Sequence, residues 1–366
     1  MRGLAAAVLA ICANASPLSD ALDDNRPILD VLAAATPPPR APSPYEARVF
    51  AACRKLHGLV DAHPMERALL ALAPRAPGWV HVPIPWHELA DPNHAGARQR
   101  KLADATKKLW RALDFDAHRH FSVLVQMHVE QVRASFAKRA DGWVPDFARV
   151  FVFDTRLTAL GSTLAFRGAE LPGAALGRVP VPLLARALDD GGDVARAAGS
   201  SLFWAGGCHA RVRCFLEGLG PGVRPCGDTI DAAAFRAGLR DAAWALAPRG
   251  TMHATFMLAA AVRHGALPVY VGDDTPACVS RATCCDRVFR LRRSRDAAAF
   301  LPYGDLGLAW RDLGLVVDAA DAAAIPAMVA NASDLAGRRR RLDVAQALFS
   351  HRGVAAYVAW KLGRER

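Results

Sequence analysis

The sequence predicts an α/β protein built around parallel β-sheets. In the second half, short apolar strands alternate with helical segments, which is typical of parallel βαβ units. Hydrophobic residues make up 52% of the chain and charged residues 22%, so there is enough apolar surface for a folded core. The length of 366 residues, taken at roughly 150 residues per domain, favours two domains over one large domain.

Composition and patterning argue against several other classes of protein. Beyond the N-terminus there is no run of about eighteen apolar residues, which excludes a polytopic membrane protein. No collagen-like period, heptad array or repeat of roughly 20–50 residues is visible, which argues against fibres and solenoids. The net charge is +11, but no zinc-finger pattern, RNP pattern or isolated basic tail accompanies it. The sequence therefore does not predict a nucleic-acid partner.

Residues 1–16 have the pattern of a secretory signal peptide. Arg2 supplies a positive start, an apolar stretch covers Leu4–Cys12, and Ala13-Asn14-Ala15 fits a cleavage site before Ser16. An Ala-rich amphipathic N-terminus, which would allow membrane association, and a transit peptide are the alternatives. The prediction is residence in the Golgi or endoplasmic reticulum lumen, or secretion. Asn331-Ala332-Ser333 would then be an N-glycosylation sequon of a glycoprotein.

The first half of the chain contains both predicted helices and predicted strands. Asp20–Pro44 is interpreted as a linker because it is rich in Pro, Ala and Asp and contains three consecutive prolines. Apolar residues at helical spacing predict helices over 45–62 and 97–113. Alternating or compact apolar runs predict strands over 79–86, 120–125 and 149–153.

The second half alternates more regularly. Compact apolar runs predict strands over 201–205, 244–247, 267–271 and 314–317. Helices are predicted from 235, over 254–264 with Gly265 as the terminating glycine, over 325–331, and as one long helix over 337–361. Asp189–Ser200, rich in Gly and Asp, marks the boundary between the halves. The predicted divisions are a signal peptide (1–15), a linker (16–44), an N-terminal domain (45–195), a C-terminal domain (196–340) and a closing helix (341–366).

The segment 244–274 carries the clearest sign of ligand binding. A strand runs into the loop Pro248-Arg249-Gly250-Thr251, a helix follows, and the next strand ends at Asp273-Asp274. In open parallel sheets, ligands bind outside the carboxyl ends of the strands. The N-terminus of the following helix offers free N–H groups and a positive dipole end to an anion.

The side chains of this loop suit a diphosphate. Arg249 adds a charged fork that matches phosphate, Gly250 allows close approach of the backbone, and Thr251 and Thr255 offer hydroxyl groups. No GxxxxGK[ST] motif occurs, so nucleotide hydrolysis of the P-loop type is not supported. The alternative is that Gly250 only forms a tight turn and that Arg249 is solvated.

At these residues the sequence resembles the exostosin-like glycosyltransferases, glycosyltransferase family 47. The shared pattern is a strand, Pro-Arg-Gly, a short helix and G-x-x-P-V before the next strand, seen here at Ala247–Gly250 and Gly265–Val269. Other segments that resemble the family are Pro44–Phe50, Val82–Trp86, Phe203–Gly207 with Arg211 and Arg213, and Leu301–Tyr303 with Trp310. The resemblance covers roughly residues 40–335 and is more specific over 203–318.

The resemblance implies a GT-B-like fold, in which two Rossmann-like domains with parallel sheets face each other across a cleft. It implies inverting transfer of a sugar from a nucleotide diphosphate sugar, expected to be a UDP-sugar, without a bound metal or cofactor. The acceptor would be a polysaccharide or glycoprotein, an acidic one if the run Arg338–Arg341 contacts it rather than solvent. The implied donor-binding residues are Gly206, Gly207, Arg211, Arg213, Arg249, Gly250, Thr251, Thr255, Asp273 and Asp274.

Two positions depart from the family pattern. Met257 and Ala260 stand where family members commonly carry Arg and Glu, and the Glu is expected at the donor ribose. A catalytically inactive glycan-binding or partner protein is therefore the alternative function. An unrelated two-lobed binding protein of the periplasmic type is a third hypothesis, which would need no phosphate loop.

An inverting transfer also needs a base that takes the proton of the acceptor hydroxyl. His87 and Glu88 follow one predicted strand and Asp154 ends another, which makes these three the candidate catalytic residues. His128 and Glu130 follow a third strand and are comparable candidates. A structural or solvated role is the alternative for each of them.

Eight cysteines occur, and none has the spacing of a zinc knuckle, so no metal is assigned. In a lumenal protein some of them would form disulfides, but the sequence leaves the pairing open. The alternative is that several are small buried hydrophobic residues.

Overall fold

The computed structural model describes most of the chain. The described residues are 21, 26–36, 41–90, 96–125, 132–133, 135–137, 142–154, 177–180, 184, 201–208, 211–228, 230–250, 255–272, 285 and 301–365, without the side chains of 90, 154, 177–180 and 211. The signal-peptide pattern lies outside these residues. None of the described helices combines the length and the apolar character needed to cross a bilayer.

A first parallel sheet is formed by residues of the N-terminal half. Its strands are β1 (Trp79–His81), β2 (Arg119–Leu124), β3 (Val150–Asp154) and β4 (Gly177–Pro180), and they lie side by side in that order. Phe121 of β2 is opposite both His81 and Phe151, so aromatic rings line one face of the sheet. The strands lie in the same order as in the sequence because each crossover connection places the next strand beside the previous one.

A second parallel sheet is formed by the C-terminal half. Its strands are β5 (Leu202–Trp204), β6 (Gly222–Val223), β7 (Trp244–Pro248), β8 (Leu267–Gly272) and β9 (Leu315–Asp318). They lie side by side in the order β6-β5-β7-β8-β9. β7 and β8 are buried along their whole length, as their unbroken apolar sequences require of central strands covered on both faces. The predicted α/β class with parallel sheets is confirmed.

Helices surround the two sheets. They are α1 (Ile28–Ala34), α2 (Pro44–His57), α3 (Pro64–Leu72), α4 (Trp86–Ala90), α5 (Ala97–Arg111), α6 (Ala232–Asp241), α7 (Phe256–Arg263), α8 (Trp310–Leu313), α9 (Ile325–Ala330), α10 (Leu335–Gln346) and α11 (His351–Arg364). Short 3-10 helices occur at Phe147–Arg149, Arg211–Leu216, Gly304–Leu306, Ala319–Ala324 and Ala347–Phe349.

Local signals set several of these boundaries as the sequence predicts. Ser43 and Glu46 form a reciprocal capping box at the start of α2, with Pro44 in the first turn. Gly265 has a φ of 76° after the end of α7, so the predicted glycine terminator is confirmed. The glycine lets the chain reverse directly into β8.

Three expectations about the elements are wrong. The segment treated as a linker contains α1, because Ile28 and Leu32 find an apolar surface to pack against and are buried. The strand predicted over 79–86 ends at His81, since the prolines that follow lack N–H groups for a sheet. The long helix predicted over 337–361 is broken at Ser350, whose hydroxyl oxygen accepts the Gly353 amide and starts α11.

The closing helix α11 joins the two halves of the molecule. It packs against α1 and α3 of the N-terminal half. Its Tyr357 ring lies 6.3 Å from the ring of Phe153 on β3 and 4.8 Å from that of Tyr303 in the C-terminal half. One apolar cluster therefore runs from the first sheet through α11 to the second sheet.

Candidate functional site

The strongest candidate site lies at the carboxyl ends of β5 and β7. These strands are neighbours, with Leu202 opposite Trp244 and Phe203 opposite Ala245. The loop that follows β5 contains Gly206 and Gly207, and the loop that follows β7 contains Arg249 and Gly250. Parallel pairing thus brings together two segments that are about 40 residues apart in the sequence.

Arg213 bridges the two loops. It projects from the 3-10 helix Arg211–Leu216 and is only 5% exposed. Its Nε donates to the carbonyl oxygen of Arg249 (3.1 Å), and its Nη1 donates to that of Gly207 (2.6 Å). Burial, and then the nearby charge of Arg249, lower the pKa of Arg213 to about 10, so it keeps its charge at neutral pH. Among the described residues, no carboxylate forms an ion pair with Arg213.

Arg249 is the second buried guanidinium. It is 5% exposed, and its Nε donates to the carbonyl oxygen of Gly250 at 3.3 Å. Its backbone N–H donates to the carbonyl oxygen of Val271 (2.9 Å), which anchors the start of the loop to β8. Two like charges therefore lie buried close together at one end of the sheet.

The glycines of the first loop pack closely around Arg213. A Cβ added to Gly206 would touch the Trp204 ring at 3.5 Å and Nη1 of Arg213 at 3.7 Å. The carbonyl oxygen of Gly206 also accepts the amide of Gly227 at 2.9 Å, which ties the loop to the segment after β6. Gly206, Gly207, Arg213, Arg249 and Gly250 are thus the predicted donor-binding residues that the structure brings together.

Thr255 begins α7. Its Oγ1 accepts the backbone N–H of Met257 at 3.3 Å, and it is 5% exposed. This oxygen caps the helix. The hydroxyl hydrogen can still be donated to another group. Met257 and Ala260 are both buried against the apolar core, which accounts for their apolar character at positions where a ligand contact was expected.

Several predicted site residues lie outside the described part of the chain. They are Thr251, Asp273, Asp274, His128 and Glu130, together with the side chains of Arg211 and Asp154. The backbone of Asp154 ends β3, as predicted.

A second polar cluster lies where α3 and α4 begin, and it includes two of the predicted catalytic residues. His87 and Glu88 are mostly buried, with His87 Nδ1 3.7 Å from Glu88 Oε1. The ring of His63 is 5.4 Å from the ring of His87. Glu66, which the sequence does not indicate as a site residue, accepts the backbone N–H of His87 through Oε1 at 2.9 Å. The sequence around Glu66 gives no sign of this role, because its partner lies 21 residues further on.

Glu66 has an unusual environment for a carboxyl group. It is 4% exposed, and its Oε2 has no hydrogen-bond partner among the described residues. Burial raises its pKa from 4.5 to about 8, while backbone N–H groups of residues 63, 86 and 87 act in the opposite direction. A carboxyl group with a pKa near neutrality can exchange a proton at physiological pH, which suits general acid–base chemistry.

The raised pKa of Glu66 predicts how stability depends on pH. The folded protein holds this proton more tightly than the unfolded chain does. The contribution of Glu66 to the free energy of unfolding therefore falls as the pH rises from about 4.5 to about 8. Between pH 6 and 7.5 the loss is about 2 kcal/mol. The side chain of Glu66→Gln cannot ionise. When the free energy of unfolding in urea is measured against pH, this variant is expected to lack that decrease. The control is Asp104→Asn at an exposed position on α5. A Glu66→Gln slope equal to that of the parent protein would contradict the prediction.

The cysteines are paired beside the candidate anion site. Disulfides join Cys208 to Cys226 and Cys214 to Cys285. Cys53 is a free, buried cysteine of α2. The first disulfide begins at the residue after Gly207, and the second begins at the residue after Arg213. The pairing left open by the sequence thus braces the Gly207 loop and the 3-10 helix that carries Arg213.

Comparison with known proteins adds no assignment: no protein-family model matches the sequence, and no curated protein matches it. The functional conclusion therefore depends on the residues of the chain itself.

Proposed function

We propose that the protein is a glycosyltransferase that moves a sugar from a nucleotide diphosphate sugar to a glycan or glycoconjugate, with inversion and without a metal ion. The observation that carries this proposal is the pair of buried guanidinium groups, Arg213 and Arg249, at the carboxyl ends of β5 and β7. The resemblance of the surrounding motifs to family 47 supplies the reaction class.

A diphosphate is the anion that best suits this pair. It carries at least two negative charges on adjacent groups, so each guanidinium can bind a separate phosphoryl group. The loop at Gly206 and Gly207 allows close approach, and the first turn of α7 lies after the same strand as Arg249. Charge-assisted hydrogen bonds from the guanidinium groups to the phosphoryl oxygens would contribute to the affinity.

The proposed fold is GT-B-like. Two parallel sheets from the two halves of the chain support it, as does a closing helix that returns to the N-terminal half. In this arrangement the carboxyl ends of both sheets face a shared cleft. The donor would be held by the C-terminal half and the acceptor by the N-terminal half.

The proposed reaction is a direct displacement at the anomeric carbon. The acceptor oxygen forms a bond to that carbon while the bond between the carbon and the diphosphate oxygen breaks. Arg213 and Arg249 stabilise the negative charge that develops on the leaving diphosphate, in the role that a divalent cation has in other transferases. The acceptor proton passes to a base of the N-terminal half, for which His87, Glu88 and Asp154 are the candidates.

A catalytically inactive relative is the second candidate function. Met257 and Ala260, buried and apolar, favour it because α7 then offers no carboxylate to the donor ribose at these positions. Such a protein would still bind a nucleoside diphosphate through Arg213 and Arg249, but it would not transfer a sugar.

We further propose that the protein resides in the secretory pathway. Two disulfides support an oxidising compartment. Asn331, in the sequon predicted above, is exposed just after α9 and is accessible to glycosylation.

A thermal-shift screen of the oxidised protein against nucleoside diphosphates and their sugars tests the function. At 100 times its Kd, a ligand is expected to stabilise the fold by about 2.7 kcal/mol. The shift is expected to persist in excess EDTA, because the positive charge is supplied by arginine. A shift that disappears with EDTA and returns with manganese would contradict the metal-free mechanism. Both candidate functions require a bound nucleoside diphosphate. A screen in which no diphosphate shifts the melting temperature would therefore contradict both.

A further inference from the structure

The four disulfide-bonded cysteines form a compact group of sulfur atoms. Cys208, Cys214, Cys226 and Cys285 come from separate segments of the C-terminal half, and all four sulfurs lie within 4.8 Å of one another. Across the two disulfides, the Cys226 sulfur is 3.4 Å from that of Cys214 and 3.5 Å from that of Cys285. We call this group the four-cysteine cluster.

The geometry of the cluster is close to that of a tetrathiolate metal site. Four sulfurs bound tetrahedrally at about 2.3 Å from a zinc ion are about 3.8 Å apart. The Cys226 sulfur already has nearly this separation from two of its neighbours. The bonded pairs would have to move apart, and the Cα atoms within each pair are 5.2 and 5.3 Å from each other. Small side-chain rotations can therefore make room for one ion at the centre.

The surroundings of the cluster also suit a closed metal site. Cys208 and Cys226 are buried, and Cys214 and Cys285 are partly buried. Four protein ligands complete a tetrahedral shell, which is the pattern of structural rather than catalytic zinc. Such an ion would brace the Gly207 loop and the 3-10 helix that carries Arg213, as the disulfides do.

We propose that the four-cysteine cluster binds one Zn²⁺ ion when its two disulfides are reduced. Reduction by a dithiol such as dithiothreitol transfers four electrons and four protons to the disulfides, giving four thiols and two molecules of oxidised dithiol. Zn²⁺ then displaces the four thiol protons and forms four Zn–S bonds. This proposal does not depend on the proposed transferase function.

Metal loading of the reduced protein tests the proposal without any activity measurement. The chain is reduced with dithiothreitol, freed of reductant under anaerobic conditions and titrated with Co²⁺ and then Zn²⁺. The expected result is one metal ion per chain, with the strong visible absorption of tetrahedral cobalt thiolate, which zinc abolishes.

A ligand variant and a control variant identify the ligands. Cys208→Ser/Cys226→Ser is expected to lose the cobalt absorption and the bound metal. Cys53→Ser, which removes the free, buried cysteine of α2, is expected to keep both.

Three results would overturn the proposal. One is a reduced chain that stays folded by circular dichroism and binds no metal. Another is metal binding that persists unchanged in Cys208→Ser/Cys226→Ser. The third is a reduced chain that unfolds and is not refolded by zinc, because a tetrathiolate site should contribute folding free energy.

Discussion

Replacing both Arg213 and Arg249 is expected to lower the affinity for uridine diphosphate by ~150-fold or more. Each guanidinium is expected to make a charge-assisted hydrogen bond to the diphosphate, worth about 1.5–3 kcal/mol. The single variant Arg249→Met should therefore lose about 10- to 150-fold in calorimetric titrations. Methionine keeps the apolar stem and removes only the charged fork.

Stability separates a lost ligand contact from a damaged fold. The urea midpoint of Arg249→Met without ligand is therefore compared with that of the parent protein, because Arg249 is buried and its side chain contacts its own loop. Arg240→Ala, at an exposed position on α6, is the control and should bind normally. Parent-like affinity in Arg249→Met would remove this residue from the site. A loss of affinity accompanied by a loss of stability would point to a structural role.

Tyr357→Ala on α11 is expected to lower the free energy of unfolding by about 3–5 kcal/mol, the range for truncating a large buried aromatic side chain. Tyr357 is fully buried, lies edge-on to Tyr303 and Phe153, and stacks on Trp360 with ring centroids 5.9 Å apart. The substitution therefore opens a cavity where the apolar core passes between the halves. Urea unfolding followed by tryptophan fluorescence measures the change.

The matched control for this prediction is Tyr357→Phe. It removes only the hydroxyl group that donates to Asp305 Oδ1 at 2.8 Å, while Lys361 still pairs with Asp305 Oδ2 at 2.9 Å. The expected cost is about 1 kcal/mol. Equal losses in the two variants would mean that the hydrogen bond, rather than aromatic packing, connects the halves.

The sequence predicts the second sheet well because its signals are local. The apolar runs of β7 and β8 and the terminating Gly265 each depend on a few neighbouring residues. The sequence does not predict the break at Ser350 because the apolar spacing continues through it, although Ser350 caps the start of α11. It does not predict helix α1 because the composition of that segment resembles that of a linker.

The candidate site likewise contains some residues that the sequence indicates and others that it does not. Arg249 and Gly250 follow a recognisable strand, so the sequence alone indicates them. The contact between Arg213 and Arg249 depends on which strands are neighbours, and the sequence does not state that order. Glu66 and the cysteine pairing depend on contacts between distant segments, which no local pattern encodes.

A crystal structure of the oxidised protein with uridine diphosphate, grown in EDTA, tests the central claim most directly. The claim predicts that the diphosphate lies at the carboxyl ends of β5 and β7, with its oxygens within hydrogen-bond distance of the Arg213 and Arg249 guanidinium groups and no metal ion between them. A diphosphate bound elsewhere on the chain, or bound here only through a divalent cation, would contradict it.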